Sequence, residues 1–259
     1  MGRSIDVYDN SNDQNKYYSL LDVYVDLIEK REEIIFKKQP YLESKYLFHF
    51  SDLMKEEIKR SINIKTLKRK IDLHSSNITR KESLELIEVD VIFEQIINLD
   101  EMVKLSKKYL EINNTTESEK EEIKFLFKEL TKILHPDFCI TITDSKRNLW
   151  DQVRGAYSTN NLARLRILSN LLSNKDNRNE NKIKKYSVEE INEKINTIFM
   201  EINDFKKGFP FNIEKEIDND IWIEEYKIQM RERIEKIKSD EIYLREKIKS
   251  LEAEDKMFL

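Results

Sequence analysis

The sequence predicts an all-α protein, with a compact helical core flanked by N-terminal and C-terminal long helical hairpins of coiled-coil-like spacing. Three observations carry this. The 259 residues include only three glycines and three prolines, the residues that most often punctuate turns and strand ends. Charged residues make up 37% and hydrophobic residues 39%, a balance suited to amphipathic helices with wet outer faces. Apolar residues recur at threes and fours along most of the chain rather than at twos.

Taken in order, residues 1–16 are polar and rich in Asn and Asp, and are expected to be a disordered tail. Residues 17–112 read as an N-terminal helical hairpin region. Leu20, Tyr24, Leu27, Ile34 and Ile35 carry a first helix to about Lys38, where Pro40 is expected to break it. A second helix spans about 41–73 on Tyr46, Leu47, Phe50, Leu53, Met54, Ile58, Leu67 and Ile71. Residues 74–79 read as a turn, and a third helix runs over about 82–112 on Leu84, Ile87, Val91, Ile96, Val103 and Leu110. Long helices joined by a short polar turn form an antiparallel hairpin.

Residues 113–172 form the compact module, and residues 173–186 are a linker rich in Asn, Lys and Asp. Residues 187–259 predict a C-terminal helical hairpin. Val188, Ile191, Ile195, Ile198, Ile202 and Phe205 alternate threes and fours, and Gly208 and Pro210 then interrupt. Ile223, Met230, Ile237, Leu244, Leu251 and Phe258 fall seven apart, which is heptad spacing. Lys227, Glu241 and Asp255 occupy the partner seam position. An internal hairpin folded at Gly208–Pro210 is expected, with a homo-oligomer seam through these heptads as the alternative.

Composition also narrows function. A formal net charge of -4 argues against a dedicated nucleic-acid binder. The single cysteine, Cys139, leaves no internal disulfide and no cysteine zinc cluster. His49 and His74 have no acidic or cysteine partners at ligand spacing, and no glycine-rich loop stands ready to cradle a phosphate. Neither an enzyme nor a cofactor is expected. No apolar run approaches membrane-spanning length, and the N-terminus lacks a signal-peptide pattern, so a cytoplasmic protein is expected.

The most informative stretch is 123–137. Ile123, Phe127, Leu130 and Leu134 share one helical face, widened by Leu126 and Ile133. Lys120, Lys124, Lys128 and Lys132 recur every fourth residue and form a basic row on another face. His135-Pro136-Asp137 follows, and Pro136 ends the helix by disfavouring helical geometry at His135. Thr116 or Ser118 can cap the start of this helix, and Asp144 or Ser145 the start of the next. Asn160 and Asn161 end that second helix, and a short leucine-rich helix follows.

This arrangement resembles the second helix and signature loop of a J domain, the Hsp70-stimulating module of DnaJ-type co-chaperones. The family pattern runs Ile-Lys-x-x-Tyr-Arg-x-Leu-Ala-x-x-Tyr-His-Pro-Asp. It is matched by Ile123, Lys124, Phe127, Lys128, Leu130, Thr131, Leu134 and then His135-Pro136-Asp137. The family's third helix is matched by Leu149, Trp150, Val153, Ala156 and Tyr157, and its first by Tyr109 and Ile112. The resemblance covers residues 118–172. Its departures are the apolar loop Phe138-Cys139-Ile140-Thr141-Ile142 and the Asn113-Asn114 pair where the family has Leu-Gly. The zinc-binding and Gly/Phe-rich regions of the largest DnaJ proteins are missing, so the chain is most similar to the specialised class of J proteins.

The resemblance implies a partner and a set of roles. The partner is an Hsp70 (DnaK-type) chaperone, whose ATP hydrolysis the module speeds, with an unknown client chosen by the flanking helices. Asp137 would make the ionic contact to an Hsp70 arginine, His135 and Pro136 would shape the loop, and Lys124, Lys128 and Lys132 would steer the helix to an acidic surface. Asp137, in a loop after a proline, is expected not to matter for folding. The alternative is a helical scaffold or adaptor whose J-like core is structural. Exposure of His135 and Asp137 separates the two: an open loop favours the co-chaperone, and a covered loop the scaffold. Phe125, bordering the lysine row, and the loop 138–142 are candidates for docking against the N-terminal region. Gly155 beside Ala156 is expected to let two helices approach closely.

Overall fold

The computed structural model describes residues 6–75, 96–110, 115–139, 143–173 and 186–257. The fold is all α, with no strand element among the described residues. In order, the helices are α1 (Asp6–Glu33), α2 (Gln39–Ser75), α3 (96–110), α4 (Glu117–Leu134), α5 (Asp144–Ser158), α6 (Leu162–Ser173), α7 (Val188–Phe205) and α8 (Asp220–Met257). A five-residue π-helical turn, Ile34–Lys38, lies between α1 and α2, and a 3-10 turn, Phe211–Ile213, follows α7.

The chain divides into two compact units, and each draws on distant parts of the sequence. Residues 1–40 and 113–212 form the first, and residues 41–112 and 213–259 the second. Contacts therefore do not follow the consecutive segments expected from the sequence. In particular, the C-terminal hairpin is not formed as a unit. Helix α7 belongs to the first unit, where it packs along α1. Helix α8 belongs to the second, where Trp222 and Tyr226 meet Phe50 of α2 and the Tyr46 and Tyr226 hydroxyls lie 3.1 Å apart. Glu241, at a seam position of α8, is a buried carboxylate satisfied by Arg60 and Asn63 of α2 and by Arg245. The heptad residues Ile223, Met230 and Leu244 are buried, so the chain itself covers most of that stripe. Helix α3 packs on α2 through Leu99 and Val103 against Leu47, with a Lys55–Asp100 ion pair.

Two expectations about the N-terminus are corrected. Residues 6–16 are helical, as part of α1; once a helix is nucleated, each added residue gains a backbone hydrogen bond at little further cost. Residues 1–5 lie outside the described residues. Pro40 does not break the helical backbone. The Gln39 N–H donates to the Ile34 carbonyl five residues back, and Gln39 keeps helical angles (φ -60°, ψ -54°). This widened turn accommodates a residue without an N–H, a known use of π segments. The expected linker lies outside the described residues over 174–185, as does the expected turn over 76–79.

In the first unit, α4, α5 and α6 share one apolar core of Ile123, Phe127, Leu130, Leu134, Trp150, Val153, Ala156, Tyr157, Leu165 and Leu168. Local signals set its helix ends. Thr116 caps α4 in a full capping box with Glu119, and Thr143 caps α5. The end of α5 is a Schellman turn. Asn160 takes φ 50°, its N–H reaches the Tyr157 carbonyl, and the Asn161 N–H reaches that of Ala156 at 2.8 Å. Gly155 is exposed, and a Cβ there would meet nothing within 4 Å. It therefore serves no close approach, unlike its buried neighbour Ala156.

Candidate functional site

The His135-Pro136-Asp137 segment leaves α4 in extended geometry (His135 φ -62°, ψ 136°), as the following proline requires. It then turns back, with the Phe138 N–H on the His135 carbonyl at 2.9 Å, a β-turn with proline at its favoured second position. The Asp137 N–H donates to His135 Nδ1 at 3.1 Å. His135 is buried, edge-on to Trp150 at 5.1 Å between ring centroids. Burial, opposed by Asp137 and helped by nearby Arg31, Lys194 and Arg154, pulls its pKa down to about 4. His135 is thus a neutral acceptor that locks the loop rather than a surface cation.

Asp137 is half-buried, and its side chain is engaged rather than open. The Tyr24 hydroxyl of α1 donates to the carboxylate, Lys194 of α7 pairs with it at 3.2 Å, and the Tyr186 hydroxyl donates to its backbone carbonyl. Burial raises the pKa of the carboxyl, but the Tyr24 bond, His135 and Lys194 outweigh it and leave it below the ordinary carboxylate value. Burial and the same bond push Tyr24 well up, so its proton stays in place to be donated. The Lys194 ammonium also lies 5.1 Å from the centroid of the Tyr186 ring. Asp137 is therefore more than a free loop charge.

The lysine row is also engaged. Lys124 pairs with Glu33 at 2.8 Å, Lys128 with Asp26 at 2.8 Å and Lys132 with Asp22 at 3.3 Å. The pairing falls along α1 as it climbs α4, so the two helices run antiparallel. Burial draws the Lys124 pKa down, but Glu33 more than reverses it and holds it above the ordinary lysine value. Lys120 pairs within its own helix, with Glu117 at 3.1 Å. Below the loop, α1 is joined to α5. The Tyr157 hydroxyl donates to the buried Glu29 carboxylate, and Arg154 reaches the buried Glu32 at 3.1 Å. The π turn sets Lys37 over the Tyr157 ring at 3.5 Å and Phe36 beneath the Arg154 guanidinium.

The six residues singled out in the sequence, His135, Pro136, Asp137, Lys124, Lys128 and Lys132, thus lie along α4 and the loop that follows it. Phe138, next to the loop, is buried edge-on against Tyr24 at 5.6 Å, while Phe125 is exposed; of the two aromatic candidates for docking, only Phe138 docks. Residues 140–142 lie outside the described residues. Besides α5 and α6, α4 packs on α1, whereas Tyr109, matched to the family's first helix, lies on α3 in the other unit. Sequence reasoning missed Tyr24, Tyr186 and Lys194, and also the acidic row of α1. That row was readable: Asp22, Asp26, Glu29 and Glu33 recur at four, three and four, a complement to lysines spaced by four.

Among the described residues, no helix is long and apolar enough to cross a membrane, and no group of three or more potential ligands could hold a metal ion. No family model, curated protein or solved structure matches the chain.

Proposed function

We propose that the chain is a J-type co-chaperone, which docks on an Hsp70 chaperone through His135-Pro136-Asp137 and the Lys124, Lys128 and Lys132 row and speeds its ATP hydrolysis. The observation that supports this reading is the makeup of the contacts on that surface. Asp137 and the three lysines are met by carboxylates, a tyrosine hydroxyl and an ammonium, not by apolar side chains. Part-exposed ion pairs each contribute about 0–1 kcal/mol. A surface kept only to hold α1 in place would gain more from apolar contacts. On this reading the chain performs no chemistry of its own, and the second unit is left to select a client or a location.

A second reading, the helical scaffold or adaptor, is favoured by a different observation. The loop is covered: His135 is buried, and Asp137 has three partners from outside the loop. Single-turnover ATP hydrolysis by the host's Hsp70, with and without the protein, tests the co-chaperone reading. Stimulation by wild type that collapses in Asp137→Asn supports it, because a charge-assisted contact at the docking centre is lost. Equal stimulation by wild type and Asp137→Asn removes the loop from the mechanism. If neither wild type nor any variant stimulates, the scaffold reading stands.

A further inference from the structure

We infer that α1 is an internal competitor for this docking surface: its acidic, tyrosine-bearing face occupies the site that an acidic partner surface would take, and binding of the partner and docking of α1 exclude one another. The inference rests on the co-chaperone reading for the identity of the partner, Hsp70, and on the structure of the first unit for the rest.

The complementarity is complete along the surface. Each of Lys124, Lys128 and Lys132 has a carboxylate of α1, in antiparallel register. The one anion of the loop, Asp137, has the one buried hydroxyl of that face, Tyr24, and is closed from the other side by Lys194 of α7. Helix α7 packs along α1 and pairs Glu201 with Arg31 at 3.3 Å, so the two helices form one cover. A partner that needs Asp137 for an arginine must break the Tyr24 and Lys194 contacts. One that needs the lysines must displace Asp22, Asp26 and Glu33. No geometry serves both at once.

The contacts are also of a kind that can exchange. Asp22 and Asp26 are largely exposed on their outer sides, so their pairs are open to solvent and to salt. They offer a partner the same currency it would bring, carboxylate on ammonium. Competition of this type reduces apparent affinity by the fraction of molecules that are open.

The test uses the 259-residue chain with Asp22→Lys and Asp26→Lys together, which sets like charges against Lys132 and Lys128 and leaves the residues of the α4–α6 core and the loop unchanged. Amide hydrogen exchange over residues 17–33, without Hsp70, reads release of α1. The concentration of protein giving half-maximal stimulation in single-turnover Hsp70 hydrolysis reads the docking surface. Faster exchange in α1 with a fall of about tenfold in that concentration is expected, as for a wild type open about one time in ten. Adding Asp137→Asn should remove the gain. Faster exchange with stimulation unchanged from an active wild type overturns the competition and leaves the co-chaperone reading intact. Unchanged exchange shows that these pairs do not hold α1 and also overturns it. Faster exchange with no stimulation by any variant removes the co-chaperone reading itself, and this inference with it. If the double reversal loses its folded near-ultraviolet signal, Asp22→Asn with Asp26→Asn replaces it under the same criteria.

Discussion

The α4–α5–α6 core and the α1–α7 cover lie side by side in one unit but are held by different physics. In the core, the Phe127 ring lies tilted against those of Trp150 at 5.5 Å and Tyr157 at 4.1 Å between centroids, and the buried set is almost wholly apolar. Two of its hydroxyls are buried and both are satisfied: Thr131 turns back on the Phe127 carbonyl at 2.8 Å, and Tyr157 donates to the Glu29 carboxylate. Along α4, by contrast, Lys124, Lys128 and Lys132 pair with carboxylates of α1 and Tyr24 bonds Asp137, while Tyr24, Val25 and Ile28 of α1 are themselves buried. Burial of apolar area is non-directional and hard to undo locally, whereas ion pairs and hydroxyl bonds can be traded for equivalents on another surface. On the competition inferred above, the core is the fixed platform and the lysine-facing side of the cover its exchangeable ligand.

The sharpest way to break this contrast is Leu130→Asp. Leu130 is fully buried in the core, and an unpaired carboxylate there should cost at least about 4 kcal/mol and abolish the cooperative thermal transition seen by circular dichroism. A stable, folded Leu130→Asp protein would mean that the platform is not the apolar core described.

Next comes pH. His135 has a folded pKa near 4, below the unfolded value of about 6.5. Between those values the unfolded chain binds the proton and the folded one does not, so stability falls as the pH drops from about 6.5 to 4. The loss should approach about 3 kcal/mol at about 1.36 kcal/mol per unit, and it should shrink in His135→Gln. Asp137 adds a second, more acid decline. Its depressed pKa gives stability that is present above about pH 4 and is lost as the pH falls through the folded value. Urea titrations at pH 7, 6 and 5 read the first effect; a flat profile would show that His135 is not held neutral.

Asp137→Asn is a smaller step. It keeps the shape but weakens the Tyr24 and Lys194 contacts, so stability should drop by about 1 kcal/mol and exchange should quicken in α1 but not in α4–α6. The smallest effect is Lys128→Ala, worth less than about 0.5 kcal/mol and vanishing at molar salt. If either spread its destabilisation evenly over core and cover, the two would not be separable elements.

How much of this was legible in the sequence follows the same divide. Four-residue apolar spacing placed α4, and the pattern from Leu149 to Tyr157 placed the next core helix, because local periodicity and burial agree there. The capping of α4 was readable from Thr116. What was not readable was which distant helix meets which. Nothing in 188–205 alone says that Ile191, Ile198 and Ile202 will face α1 rather than α8, since a heptad seam is neutral about its partner. Pro40 misled because a π turn, not a break, absorbs it. The cover on Asp137 comes from Tyr24, 113 residues away, and only the matched acidic and basic rows hinted at it.

Cys139 gives the molecule a built-in clock. It is buried one residue past the covered aromatic of the loop, with its thiol donating to the Ile133 carbonyl at 3.2 Å and its pKa raised by burial. A shielded, protonated thiol reacts slowly with alkylating reagents. Since it is the sole sulfhydryl in the chain, every labelling event reports the same opening. The ratio of its rate to that of an unfolded reference then gives the free energy of loosening the turn. The chain thus carries its own probe of loop motion, without engineered labels.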